Sequence, residues 1–341
     1  MTGRFGRLLH LGSVVVDVVL DVPAIPARGD DVLASATNIT AGGGFNVMAA
    51  ATARGIPVRY GGAYGSGPFA ALALAALAGR GIEVLQRPKA GLDTGFVVTI
   101  VEAGGERTFL TSAGAESSLT AEDLRAVLAG PGDAVYLSGY GLLDPGSAAA
   151  IVGWLGRLDA RNEVFLDPGS LVGDIPGDVL EPVLRRADWL TCNAREACRL
   201  TGEREPLAAA GALGQTFSGR SFPWVSSMDG SRPPVRQRGG ILVRTGAAGC
   251  LLVVAGAAGA AGAAGAAPVR VPGFPVAAVD TTGAGDTHTG TFIAALAKGA
   301  DAVAAARTAN GAAALSVTRH GPATAPTEAE LSRLLSAPRR L

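Results

Sequence analysis

Val279–Phe292, VDTTGAGDTHTGTF, is the stretch that decides the reading of the chain. It joins a short apolar run, Val276–Val279, to a run with helical spacing that includes Phe292 and Leu296. Gly283, Ala284 and Gly285 lie between them, and Asp286 opens the helix. Small residues there let backbone N–H groups converge at a helix N-terminus, where the dipole favours an anion. Asp286 can N-cap that helix, and a capped helix after a glycine turn is the bland alternative. A carboxylate beside an anion-binding nest is, however, opposed by like-charge repulsion. It makes sense as the group that takes a proton from a hydroxyl attacking a bound phosphate.

The chain has 341 residues, within range for one large α/β unit. Its 48% apolar content, much of it Ala, is enough for a large core. Lys+Arg and Asp+Glu both number 29, so no basic field exists to collect nucleic acid or anionic lipid. Local phosphate recognition needs only a few amides and one or two cations. The three cysteines (Cys192, Cys198, Cys250) are odd in number and lack metal-ligand spacing, the pattern of buried free thiols in a reducing cytoplasm. The apolar N-terminal run is broken by Asp17 and Asp21 and lacks a small-residue cleavage site. No uninterrupted apolar stretch is long enough to span a bilayer. The expectation is a cytoplasmic protein with no membrane and no nucleic-acid partner.

Leu8–Val22 reads as a strand pair or one bent strand, with Asp17 either on a solvated face or aimed at a ligand. Asp31–Thr40 is again strand-like. Ala41–Asn46, AGGGFN, opens a helix; Gly42–Gly44 allow close backbone approach, and Asn46 offers a donor and an acceptor. Phe69–Arg80 is helical. Thr94–Val101 and Glu106–Ser112 alternate around Ala103-Gly104-Gly105, a hairpin signal. Leu119–Leu128 is expected to be a helix, with Thr120 and Asp123 as an acidic capping box. From Ala134–Ser138 onward, strands at Glu163–Leu166, Trp189–Cys192 and Gly240–Thr245 alternate with helices. That is the pattern of a parallel sheet covered on both faces, with functional groups at the carboxyl ends of its strands. Asn193 and Glu196 read as a capping pair or as ligand-facing groups. Gly214–Gly240 reads as an extended loop, and the Gly/Ala repeat Gly256–Ala267 as a flexible hairpin tip without chemistry. Thr308–Val317 and Pro326–Leu335 are helical. His10, His288 and His320 form no catalytic set, although His288 follows Asp286 by two and could tune it.

The DTTGAGD segment resembles the signature of the ribokinase-like (PfkB) carbohydrate kinases, usually written DTxGAGD. The resemblance extends over nearly the whole chain, and AGGGFN is similar to that family's Gly-Gly loop followed by Asn. It implies a ribokinase-like three-layer α/β/α fold with a mostly parallel central sheet and a small β lid. It implies a single domain over 1–341 with lid strands from about 13–40 and 93–113. The implied reaction is ATP-dependent, Mg²⁺-assisted phosphorylation of a hydroxyl on a sugar or nucleoside. Asp286 would be the base, and the amides of Gly283, Ala284, Gly285 and Asp286 the anion hole. Asp17, Gly42, Gly43 and Asn46 would hold the acceptor. Asn193 and Glu196 would order the magnesium and phosphate environment, with Arg244, Thr245, Gly246, Gly249 and Asn310 along the nucleotide. In many relatives a monovalent cation such as K⁺ lies between the Asp280–Thr282 segment and the following turn. Here the corresponding residues are Asp280, Thr282, Ser316, Arg319 and Gly321, mostly through backbone carbonyls. Relatives also often pair their lids into a homodimer.

Two departures stand out. Gly65-Ser66-Gly67-Pro68-Phe69 lacks the Asp that many members carry in this loop. Arg244 occupies a place where a small hydroxyl residue is common; it either pairs with a phosphate or snorkels outward. A nucleoside kinase of the same fold remains a rival, with Phe45, Phe96 and Phe109 as a clamp for the base. So does a non-catalytic ligand-binding protein that kept the fold. A dinucleotide-binding dehydrogenase is disfavoured, because no GxGxxG with a following acidic residue appears.

Overall fold

The computed structural model describes residues 4–217, 239–254 and 267–337. The chain begins with β1 (Leu8–His10), β2 (Val14–Val22), β3 (Ala36–Gly43), α1 (Gly44–Ala53), β4 (Val58–Tyr60), α2 (Pro68–Gly79) and β5 (Glu83–Val84). It continues through β6 (Phe96–Glu102), β7 (Arg107–Ser112), β8 (Ala134–Ser138), α3 (Pro145–Leu155), β9 (Glu163–Asp167), α4 (Gly177–Arg186) and β10 (Trp189–Asn193). The last part holds α5 (Ala194–Thr201), α6 (Pro206–Phe217), β11 (Gly240–Arg244), β12 (Gly249–Val254), β13 (Val269–Pro272), α7 (Ala284–Ala297), α8 (Ala302–Ser316) and α9 (Glu328–Ser336).

Nine strands form the main sheet in the order β13-β12-β11-β10-β9-β8-β1-β4-β5. The pairs from β11 through β5 are parallel, and β12 and β13 are antiparallel additions. Strands buried on both faces need apolar residues at successive positions, which explains runs such as AVYL and WLTC. Their side chains alternate between two cores. Leu137, Leu166, Leu190 and Val243 point into one, closed by α3, α4, α5 and α6. Tyr136, Phe165, Trp189 and Leu242 point into the other, closed by α1, α2, α7 and α8. Three layers result, as expected from the alternation of strands and helices. Ser138, Asp167, Asn193 and Arg244 each end a strand and share the carboxyl edge of the sheet.

A second sheet has the order β3-β2-β6-β7. Its β6–β7 pair is the expected hairpin around Ala103-Gly104-Gly105. Leu8–Val22 is a strand pair divided between the two sheets, β1 in the large one and β2 in the small one. Arg107, at the start of β7, fastens the small sheet to the opening motif: Nη2 reaches Asp280 Oδ1 at 2.7 Å and Nη1 donates to Thr281 Oγ1 at 2.6 Å.

Several expectations are corrected. Leu119–Leu128 is not a helix; only Asp123–Arg125 makes a 3₁₀ turn. The Thr120–Asp123 box does form, but Trp154 Nε1 takes the Val127 carbonyl at 2.9 Å, and Gly130-Pro131 follows at once. A segment this short cannot sustain a helix against such competition. β3 starts at Ala36 rather than Asp31, because Ser35 N and Oγ both donate to the Asp21 carbonyl and close a turn there. The loop expected from Gly214 begins later, since α6 continues to Phe217. Residues 218–238 and the repeat at 255–266 lie outside the described residues.

The Asp missing from the Gly65–Phe69 loop is supplied from elsewhere. Asp93 accepts from Phe69 N at 3.1 Å and Ala70 N at 2.9 Å, and also from Thr94 N at 2.8 Å. It thus satisfies orphan donors at the start of α2, where Gly67 has no side chain to cap. These hydrogen bonds outweigh desolvation and hold the Asp93 carboxyl below its usual range. Asp93→Ala should cost on the order of 1 kcal/mol, the usual value of a helix cap, and lower the melting temperature by about 1–2 °C. Asp93→Asn should lose less, and calorimetric melts of the three proteins check both expectations.

Candidate active site

α7 starts from Gly283, which sits at φ +69° as the N-cap. Only glycine takes that conformation without strain. Asp286 is therefore not the cap, contrary to expectation: it is the third residue of the helix, and no side chain caps this end. Ala284 N donates to the Thr281 carbonyl at 3.3 Å, whereas the Gly285 and Asp286 amides precede the first carbonyl that the helix can offer them.

The Asp286 carboxyl is set by α1. Asn46 Nδ2 donates to Asp286 Oδ2 at 3.1 Å, and Asn46 Oδ1 accepts from Ala323 N at 3.4 Å. Asp286 is half-buried, enclosed by protein but still open to a cleft. Burial raises its pKa from 3.8 to about 7, and the fields of Asp167 and Asp17 add to the rise against Asn46 and Arg244. Asp17 lies on β2 opposite Thr40 of β3, so its carboxyl shares a face with Gly42, two residues further on. A Cβ at Gly42 would overlap the Asp17 carboxyl group. Gly42 thus makes the space that Asp17 fills, and burial lifts the Asp17 pKa to about 6. Gly43, at φ +59°, turns the chain into α1. Asp17, Gly42, Gly43, Asn46 and Asp286 are therefore brought together.

On the other flank stands the carboxyl edge of the main sheet. Asn193 and Glu196 form a reciprocal capping box on α5, with Asn193 Nδ2 also donating to Glu196 Oε1 at 2.6 Å. The box faces Arg244, whose Nη2 lies 3.7 Å from Glu196 Oε2. Arg244 does not snorkel outward: its Nη1 is 3.0 Å from Asp167 Oδ2 and donates to Thr289 Oγ1 at 2.9 Å. Thr245, Gly246 and Gly249 build the turn to β12, closed by Thr245 N on the Gly249 carbonyl at 2.8 Å. Asn310 is buried and committed internally, donating to the carbonyls of Val271 and Pro272 and pairing with His288 Nε2 at 2.9 Å. It can border a nucleotide but does not present its amide. The same bond turns His288 away from Asp286, as expected for residues two apart on a helix. The three cysteines are free thiols.

The expected cation segments do meet. Gly321 N donates to Asp280 Oδ2 at 2.9 Å, Thr282 N to Oδ1 at 2.8 Å, and Val279 N and Asp280 N to the Val317 carbonyl. The side chains of Ser316 and Arg319 turn elsewhere, to the Ala313 carbonyl and to Glu330. A cavity of about 430 Å³ opens nearby between β3, α2 and the 320–324 segment, walled by Thr40, Phe45, Leu72 and Pro322. Of the three phenylalanines expected as a clamp, Phe45 joins the core and walls this cavity, Phe96 packs on Phe69 at 5.2 Å, and Phe109 is exposed. Asp167, Thr289 and Arg107 belong to the surroundings of the site although the sequence did not single them out. Asp167 alone carried a signal, an acid ending a buried parallel strand before Pro-Gly.

The family model described as pfkB family carbohydrate kinase matches residues 7–329. The chain belongs to the pfkB carbohydrate kinase family. An uncharacterised sugar kinase of Escherichia coli, YegV, is 30% identical over 327 residues, covering 95% of this chain and 92% of that protein. The ATP-dependent ribose-1-phosphate kinase of Halopiger xanaduensis is 28% identical, covering 97% and 98%. Among solved structures, Arabidopsis thaliana ribokinase complexed with ribose and ATP matches with TM-score 0.72 at 23% identity, covering 99% of this chain and all of that one. Adenosine kinase from Sinorhizobium meliloti matches at 0.76 with 19% identity, covering 97% and 98%. These likenesses give this pfkB protein the ribokinase-like fold. Among the described residues no helix is long and apolar enough to cross a membrane.

The raised Asp286 pKa has a consequence for stability. The folded protein holds this proton more tightly than the unfolded chain, so the contribution is fully present below about 4 and is lost as pH rises through about 7. Asp286→Asn should therefore melt above the wild type at pH 8, by a margin that shrinks at pH 5. Thermal melts at the two pH values test the sign.

Proposed function

We propose that the protein is an ATP-dependent kinase that transfers the γ-phosphoryl group to a hydroxyl of a sugar or small sugar derivative. The observation that carries this reading is the position of the Asp286 carboxyl. It stands beside the unspent amides of an α-helix N-terminus and is held by Asn46. The acceptor lies between Asp17, Gly42, Gly43 and Asn46, with the small sheet as its lid. The nucleotide runs along Asn193, Thr245–Gly249 and the neighbourhood of Asn310. Asp286 takes the hydroxyl proton as the phosphoryl group moves, and the free amides at the start of α7, those of Gly285 and Asp286, receive its oxygens. Most of the rate comes from positioning and from charge stabilisation in a site with little water. A nucleoside remains the second reading, because Phe45 walls the cavity beside β3 and could face a base.

The residues fit magnesium brought with the nucleotide. Asp167 and Glu196 offer oxygen donors at one edge, and Mg²⁺ typically uses one or two carboxylates together with water and phosphate. They would hold it largely through water, and the ion would neutralise charge on the phosphates. The turn joined to Asp280 does not show the free carbonyls K⁺ needs: those of Ser316, Val317 and Gly321 accept hydrogen bonds, and Arg107 already neutralises Asp280. Exposed Leu33, Ile39, Phe109 and Leu110 on or beside the small sheet suit pairing with a second copy into a homodimer.

Asp286→Asn should bind ATP as the wild type does and lose at least about two orders of magnitude in turnover. The test is a radiolabelled-ATP screen over a sugar panel followed by kinetics on the accepted substrate. Near-normal turnover would discard the base. With wild-type protein, turnover should rise with pH through about 7 and then level, because the base works only when deprotonated. Phe109→Asp should shift the protein from dimer to monomer in light scattering at micromolar concentration.

A further inference from the structure

Arg244 stands beside the first turn of α7, and its guanidinium has two unlike edges. Nη1 is anchored, to Asp167 Oδ2 at 3.0 Å and to Thr289 Oγ1 at 2.9 Å. Nη2 stands 3.7 Å from Glu196 Oε2, beyond hydrogen-bonding distance. The contacts that Arg244 makes among the described residues run through Nη1 and Nη2 and leave Nε without one. That Nε–Nη2 edge runs beside the first turn of α7: a Cβ on Gly285 would lie 3.4 Å from Nε, 3.7 Å from Cζ and 3.9 Å from Nη2. Gly285 and Thr289 are four residues apart on one helix face, so the guanidinium extends from the second turn toward the N-terminus. It therefore lies against Gly285, in the helix turn that also carries Asp286. Its side chain keeps 13% exposure, enough for a ligand to reach. Burial works against the charge, but the Asp167 and Glu196 carboxylates more than offset it and hold the guanidinium above its usual range.

We propose that Arg244 is the fixed cation of phosphoryl transfer. Its Nε–Nη2 edge takes two oxygens of the nucleotide's terminal phosphoryl group, while Nη1 stays on Asp167 and Thr289. This rests on the kinase reading above. A planar fork matches two phosphate oxygens as a lysine ammonium does not. Those oxygens carry the charge spread over the transferring group as the bond from γ-phosphorus to ADP breaks and the bond to the acceptor oxygen forms. The proton passes to Asp286, and Arg244 neither gives nor takes one. Because the guanidinium is already anchored, it needs no rearrangement when that charge develops.

Calorimetric binding of ATP, ADP and AMP to the full chain tests the assignment. Arg244→Met should weaken ATP by about tenfold to a hundredfold, the range for lost charge-assisted hydrogen bonds. AMP, which lacks the outer phosphates, should bind nearly as to the wild type, with ADP between. Arg244→Lys should fall between wild type and Arg244→Met for ATP. Thr289→Val, which removes an anchor and leaves the charge, should keep the preference for ATP over AMP. Equal weakening of ATP and AMP by Arg244→Met would make the residue a structural tie and overturn the proposal. Unchanged ATP binding would do the same. Should Arg244→Met fail to fold, an unaltered ATP-to-AMP ratio in Arg244→Lys overturns it. Wild-type protein that binds none of the three nucleotides would remove the kinase reading and this assignment together. Wild-type ATP binding with an unaltered ratio in the variants would remove this assignment alone.

Discussion

α1 and α7 cross closely enough that Gly290 rests against the Val47 carbonyl, and a Cβ there would also come within 2.8 Å of the Ala50 Cβ. This contact governs the rest. It brings Asn46, on one helix, within hydrogen-bond distance of Asp286, on the other. The two helices belong to the same covering layer of the main sheet, so their separation is fixed by core residues such as Met48, Phe292 and Ile293. Interiors are packed as densely as organic crystals, and an added methyl group at such a crossing must displace backbone. A hydrogen bond between two partly buried polar groups, 240 residues apart in sequence, is therefore held to a narrow geometry by the apolar packing below it.

The electrostatics of the cleft are adverse to stability. Asp17, Asp167, Glu196 and Asp286 line one enclosed region, and burial raises the pKa of Asp17, Glu196 and Asp286. Arg244 compensates part of this charge, but ion pairs withdrawn from water seldom repay their desolvation. Groups kept in such a state mark a site shaped for chemistry. A bound polyphosphate would add more negative charge. That explains why helix amides and a guanidinium stand on the side where the phosphates would lie, and why the carboxyl proposed as base is separated from the sheet edge by the first turn of α7.

Much of this was legible in the sequence where the signal is local. The strands of the main sheet announce themselves because burial on both faces demands unbroken apolar runs. The hairpin announces itself through alternation around Gly104-Gly105, and the site through DTTGAGD and AGGGFN. What stayed hidden depends on partners remote in the chain. Asp93 caps α2 from 23 residues away, and Arg107 reaches Asp280 across 173. Neither residue type carries a pattern that betrays its partner. Thr289 looked like one more small residue in a helix until Arg244 was seen to bond it. The misread helix at Leu119–Leu128 shows the converse: its capping pair is real, but Trp154 claims a carbonyl the helix needed.

The chain passes between the two sheets four times, at Leu11–Ser13, Gly43–Gly44, residues 85–95 and residues 113–133. These passages are pinned in pairs. Gly12 N donates to His10 Nδ1 and Gly44 N to the Ser13 carbonyl, so the first two share one corner. Glu116 joins the other two, accepting from Gly95 N at 2.7 Å and Gly114 N at 2.8 Å. With the Arg107 bonds to Asp280 and Thr281, the two pinned corners tie the small sheet to the large one at three places. Asp17 belongs to the small sheet and Asp286 to the helical layer of the large one, so the spacing of these two carboxyls depends on how the corners hold the sheets together.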